Sequence, residues 1–131
     1  MVSLINLVEL SGVELSFLIN KIKAEVTSGY YVSAITPITK SSFLFKLHHT
    51  TNPDIMLMVS TMGIWTTRLK FKPIEHNDLG EIVKSNLERS KIETIIQPGS
   101  ERLVFFYFRQ PTQGLRILVI ELFGDGNIIL C

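Results

Sequence analysis

Two stretches near the C-terminus, Pro98-Gly99-Ser100-Glu101-Arg102-Leu103-Val104-Phe105 and Glu121-Leu122-Phe123-Gly124-Asp125-Gly126-Asn127-Ile128-Ile129-Leu130, decide how this chain is read. Both are β-rich runs bounded by turn residues. The first is opened by an acid and a base after a Pro-Gly turn, and the second is interrupted by glycines. Gly124-Asp125-Gly126 reads as a tight turn or bulge between strands, with Asn127 supporting it. It lacks the spacing of a phosphate-binding glycine loop followed by a helix. Between the runs, Pro111-Thr112-Gln113-Gly114 supplies a hairpin, so strands are expected near Leu103 to Arg109, Leu115 to Phe123 and Asn127 to Leu130.

Upstream, Ser11-Gly12-Val13-Glu14 has the spacing of a capping box, and Leu15, Leu18, Ile19, Ile22 and Val26 follow at helical intervals, predicting a helix over 12–27. Residues 3–10 read as a short strand. From Tyr30 the pattern changes to period two, with strands expected at Tyr30 to Ile38, Ser42 to His48, Ile55 to Ser60 and Ile64 to Leu69. Thr50-Thr51-Asn52-Pro53-Asp54 and Met62-Gly63 turn the chain between them, giving an antiparallel meander. Asn77-Asp78 can cap a second helix with Leu79, Ile82, Val83 and Leu87 on one face, running to about Ser90. A further strand is expected at Ile92 to Gln97.

Two helices and about eight short strands joined by local turns predict an α+β domain, its strands forming an antiparallel β-sandwich or flattened barrel. No βαβ alternation, repeat or linker divides the chain, so residues 1–131 are expected to form a single domain. Nearly half of the residues are apolar (46%) and only 19% are charged, which suggests that some surface covers a neighbour and that the chain is a fragment of a longer protein. A net charge of +1 provides no general drive towards nucleic acid, so any RNA contact must rest on a local patch. The single Cys131 excludes an internal disulfide framework and a multi-cysteine zinc site. Met1 to Leu10 has neither a basic start nor a sustained apolar core, and the reading is cytoplasmic.

The order of these elements, with Glu101-Arg102 opening one strand and Gly126-Asn127-Ile128-Ile129-Leu130 forming another, resembles the N-terminal domain of the NFACT proteins. These are ribosome-associated quality-control factors once described as fibronectin-binding protein A-like, and the pattern here is most like the archaeal type. The resemblance implies a fold akin to the N-terminal domain of formamidopyrimidine-DNA glycosylases. It also implies a non-enzymatic module that helps bind aminoacyl-tRNA at a stalled large ribosomal subunit holding peptidyl-tRNA, and supports template-free C-terminal tailing. In the family an acid near the start of the first helix and an Asp-Arg pair matter; they correspond to Glu14 and Glu101-Arg102. Both acids are Glu here, one methylene longer than Asp. Where the second helix of the family often carries an Arg-Lys-His run, this chain has Val83-Lys84-Ser85-Asn86-Leu87. It also opens Met1-Val2-Ser3, without the N-terminal proline and neighbouring acid of the glycosylases, so base-excision chemistry is not expected. The remaining domains of a full-length factor are the other partners implied; no cofactor, catalytic residue or membrane is.

Each candidate also has a plainer reading. Glu14 can serve as a helix cap, worth about 0.5–2 kcal/mol, and one carboxylate can do this and face a ligand. Glu101 and Arg102 could be a solvated pair; neighbouring strand residues point to opposite faces unless the Pro98-Gly99 turn bends the backbone. An exposed Arg102 guanidinium offers bidentate hydrogen bonds to phosphate and is the first choice for an RNA contact. Arg68, Lys70 and Lys72 alternate with Leu69 and Phe71 as a basic stripe, which either tracks phosphates or guards a sheet edge. His48, His49 and His76 have no partners at a recognised metal spacing. Of the aromatic run Phe105 to Phe108, two must face inwards, which favours packing over base stacking.

Overall fold

Leu15, Ile19, Ile22 and Val26 fall on one side of a helix, and each is at most 2% exposed in helix α1, Gly12–Val26. The computed structural model describes residues 12–68, 78–99, 101–122 and 125–131. The strand read over 3–10, the Ser11 and Asn77 caps, His76, Lys70 and Lys72 lie outside these residues. Helix α1 ends where Thr27 turns its hydroxyl back onto the Lys23 carbonyl at 2.6 Å, a local bond that competes with continuation of the helix. Gly29, at φ 91°, then redirects the chain, and a Cβ there would come within 3.0 Å of the His49 ring.

The second helix, α2, spans Asp78–Leu87. Val83 and Leu87 are fully buried as expected, but Ile82 is 49% exposed and Gly80 is buried instead. The apolar arc is wider than the contact, and the helix packs on the side of Gly80, Val83 and Leu87.

Among the described residues eight strands follow the expected alternation: β1 (Tyr31–Thr39), β2 (Ser42–His48), β3 (Ile55–Ser60), β4 (Gly63–Thr67), β5 (Lys91–Ile96), β6 (Leu103–Gln110), β7 (Gly114–Glu121) and β8 (Asn127–Leu130). They form one antiparallel sheet in the order β4-β3-β2-β1-β5-β6-β7-β8. The α+β architecture expected from the sequence is the one found. It consists of two four-strand meanders laid side by side.

The meanders meet weakly in the sheet plane and strongly through their side chains. Between β1 and β5 the only opposed pair is Tyr31 with Lys91, after which the strands diverge. Yet the Phe45 ring of β2 lies 5.8 Å from Phe108 of β6, nearly parallel at 19°. In a flat sheet these strands, three spacings apart, would be separated by about 14 Å. The sheet is therefore folded at the β1–β5 seam, and its inner faces pack together. Phe43, Phe45, Leu47, Val104, Phe106, Phe108, Leu118 and Ile120 are fully buried between them. Gly126, beyond β7, approaches Thr61 at the β3–β4 turn so closely that a Cβ would lie 2.5 Å from the Thr61 Cβ.

Divergence of β1 from β5 leaves backbone groups of β1 without strand partners, and the end of α2 supplies them. Val32 N–H donates to the Ser90 carbonyl and Arg89 N–H to the Val32 carbonyl, both at 2.7 Å. Farther along, Ile35 N–H donates to a Glu88 carboxylate oxygen at 3.0 Å. Gln110, buried at the end of β6, donates its amide to the Asn86 and Glu88 carbonyls at 2.6 and 3.1 Å. The seam is thus sealed by polar groups above an aromatic core.

Phe108→Ala is expected to destabilise the domain by about 3–5 kcal/mol, because it removes the ring that joins the two meanders. Glu88→Ala should cost about 1–3 kcal/mol by leaving the Ile35 N–H unpaired, and Glu88→Gln much less, since its amide oxygen still accepts. Urea denaturation of the three variants checks both.

Candidate functional site

Within the first meander the β1–β2 and β3–β4 turns fall at one end, and within the second the β5–β6 and β7–β8 turns do. The close approach of Gly126 to Thr61 brings these two ends together, and the pair of Tyr31 with Lys91 joins the other two. Helix α1 packs on β4 and β5, and its C-terminus runs directly into Tyr31, opposite the start of β5. Its 15 residues extend about 22 Å, so Glu14, in the first turn, stands well away from the seam. Glu101 and Arg102 sit together on the β5–β6 turn.

The backbone around Glu101 and Arg102 is braced. Strand β6 begins at Leu103, so both residues belong to the β5–β6 turn and the strand rule of opposite faces does not apply to them. Gly99 at φ 59° makes the bend that the Pro98-Gly99 pair predicts. Glu101 N–H donates to the Pro98 carbonyl at 3.3 Å, and the Gln97 side-chain amide donates to the Glu101 carbonyl. Leu122 N–H donates to the Arg102 carbonyl at 2.8 Å, extending the β6–β7 pairing by one residue. Glu101 is exposed and Arg102 half-buried, so the guanidinium stands on a fixed backbone at the domain rim. Glu14 is exposed in the first turn of α1, where its charge favours the helix dipole.

Arg68 is not at this end. It follows β4 and lines a cleft with Glu25 and Asp54 at the opposite end. Asp54 also holds His48 Nδ1 at 2.8 Å and faces Lys46 at 4.0 Å. His49 Nδ1 accepts from the backbone N–H groups of Thr51 and Asn52 at 3.1 and 3.0 Å, which places its proton on Nε2 and makes it a brace for the β2–β3 turn. Phe106 and Phe108 are the inward pair of the aromatic run, leaving Phe105 and Tyr107 half-buried on the other face.

Sequence reasoning passed over a second group of charges at the β1–β5 seam. Arg89, Lys91 and Arg109 line one cleft there with Tyr31 and Glu93. The residues come from a loop and three strands, and only the register of β5 on β6, with Lys91 opposite Arg109, unites them. Arg109 grips Glu93 with two bonds, Nε to Oε1 at 2.7 Å and Nη2 to Oε2 at 3.2 Å. This hydrogen bonding, aided by the Arg109 charge against a small opposing effect of burial, holds the Glu93 carboxyl below its usual value and raises the Arg109 guanidinium.

No protein-family model matches the sequence, and no curated protein matches it. Solved structures do. The chain is similar to the N-terminal domain of the fibronectin-binding protein PavA from Streptococcus pneumoniae, with a TM-score of 0.81 and 20% identity over 92% of this chain and 48% of that one. It is also similar to the N-terminal part of the fibronectin/fibrinogen-binding protein from Streptococcus suis (TM-score 0.79, 19% identity, 92% and 48%). The fibrinogen-binding protein from Staphylococcus aureus follows (TM-score 0.74, 17% identity, 92% and 45%). The chain spans about half the length of each of these structures. Its fold is that of these N-terminal domains, the NFACT-N-like fold.

Because the folded-state pKa of Glu93 is depressed, its contribution is present above its unfolded value and is lost as pH falls through the folded one. In an NMR titration of the Glu93 side-chain carboxyl, Arg109→Ala is expected to move the midpoint upwards. An unchanged midpoint would contradict the clamp.

Proposed function

We propose that this chain is a non-enzymatic RNA-binding module of a ribosome-associated quality-control factor, helping to bind aminoacyl-tRNA at a stalled large ribosomal subunit and to support template-free tailing of the peptidyl-tRNA chain. The observation that carries the reading is Arg102. It stands on a turn braced from Gln97, Pro98 and Leu122. Among the described residues no group bonds its guanidinium, so its donors are available to a phosphate. Glu101 beside it and Glu14 on the helix would bias which part of a polyanion can approach, since carboxylates repel phosphate and accept from hydroxyl or amino groups. The fold shared with the fibronectin-binding protein domains supports the family on which the reading depends. Arg68 enters it as a peripheral contact only, because it lies at the other end; Lys70 and Lys72 keep the role that their sequence suggests, as phosphate contacts.

The chemistry assigned to the module is recognition. A braced guanidinium fixes the position and orientation of a phosphate, while peptide-bond formation belongs to the ribosome.

A second reading is favoured by a different observation: the domain acts as a packing surface for other parts of the same factor. Phe17, on the side of α1 away from the core, is 75% exposed, and Met62 and Ile96 at the same end as Arg102 are 48% and 41% exposed. Apolar groups of this size on a surface suit a protein contact.

Binding of aminoacyl-tRNA to the wild type and to Arg102→Ala at two salt concentrations tests the first reading. The expected result is weaker binding by roughly fivefold or more, with a shallower salt dependence, as loss of one phosphate contact requires. Equal affinity and equal slope would leave the packing reading in its place.

A further inference from the structure

We propose that the cleft at the β1–β5 seam is a second site, distinct from the Arg102 turn, which binds the phosphate of a nucleotide through Arg89, Lys91 and Arg109 with the Tyr31 ring beside it. The cleft has a volume of about 580 Å³, and lies at the opposite end of the sheet from Glu101 and Arg102. Pockets that accept small ligands span roughly 300–1,000 Å³, so a nucleotide fits this space.

Two features of the cleft work against stability and are explained by an anion. First, Lys91 and Arg109 are directly opposed on neighbouring strands, and both are exposed. Like charges in this relation repel, and a structural sheet position has no need of them. Glu93 is the one carboxylate among the described residues that line the cleft, and it grips only Arg109, through Nε and Nη2. That grip fixes the plane of the guanidinium and leaves Nη1 for a further acceptor. Second, Arg89 has φ 71°, the one positive φ of a non-glycine residue among those described. Its N–H is committed to the Val32 carbonyl, so the backbone cannot relax without breaking the seam. Glycine would meet this conformation without strain, yet the position carries an exposed cation that lines the cleft.

Recognition chemistry follows from the remaining wall. Tyr31 opposes Lys91 and is held edge-on against His48, with ring centroids 5.4 Å apart and planes at 70°. A ring fixed in this manner next to cations suits a planar base attached to a phosphate, since stacking is available to every base and the cations hold the ester. Gly29 borders the same space and adds no side chain to it. The shared chemistry is a phosphate ester beside an aromatic base, which either a free nucleotide or an RNA strand can present.

Nuclear magnetic resonance titration of the whole chain tests the site, with inorganic phosphate, adenosine monophosphate and a short single-stranded oligoribonucleotide as probes. Saturable shifts at Tyr31, Lys91 and Arg109 are expected, with the monophosphate binding more tightly than inorganic phosphate. A further gain for the oligoribonucleotide at the same residues would identify RNA as the source, and no gain would identify the free nucleotide. Lys91→Ala and Arg89→Gly should each weaken binding by roughly tenfold, the size of one charge-assisted contact. Arg89→Gly keeps the backbone conformation, so its melting temperature should equal or exceed that of the wild type while binding falls. Arg102→Ala should leave the cleft titration unchanged, which separates this site from the proposed tRNA contact. The proposal is overturned if no probe gives saturable shifts at these residues, if both cleft variants bind as the wild type does, or if Arg102→Ala alone abolishes the response.

Discussion

The contact between Phe45 and Phe108 is the constraint on which the rest of the molecule depends. Two meanders, each too small to hide its apolar face, share that ring stack and bury their inner surfaces against one another. The β1–β5 seam contributes a single opposed pair, so hydrogen bonding across it is too sparse to set the geometry. Hydrophobic packing sets it instead, and the polar groups of Glu88, Arg89, Ser90 and Gln110 satisfy the backbone that the fold leaves open.

Folding the sheet in this way places the functional candidates. Within each meander every second connection falls at the same end, and the approach of Gly126 to Thr61 sets the turn ends of the two meanders side by side, the β5–β6 turn with Glu101 and Arg102 among them. Arg68 and the seam cations fall at the far ends of their strands. A chain with almost no net charge thereby carries one guanidinium beside an acid at the β5–β6 turn and three cations around a cleft at the seam. A domain of this kind can offer charge only through such local arrangement, since its bulk charge is close to zero.

Much of this was legible wherever the pattern is complete within a short window. The stripe from Leu15 to Val26 and the alternating runs 42–48, 55–60 and 127–130 give their elements with the observed bounds or close to them. The Pro98-Gly99 turn was legible for the same reason. Ile82 shows the limit: its apolar character placed it on the helix face, but the arc offered by Leu79, Ile82 and Val83 is wider than one contact, and the side that packs is that of Gly80, Val83 and Leu87. The seam was out of reach altogether. Lys91 and Arg109 are distant in sequence and become neighbours only through register, while the tie from Glu88 to Ile35 exists because β1 and β5 part after one pair. Register and divergence arise from tertiary packing, which no local spacing encodes.

The account's central claim is that the braced 97–102 turn meets RNA. Photo-crosslinking of aminoacyl-tRNA to the protein, followed by identification of the modified peptides, tests it most directly. The account predicts adducts on the turn that carries Glu101 and Arg102. Adducts that never include this turn, at saturating tRNA, would contradict it.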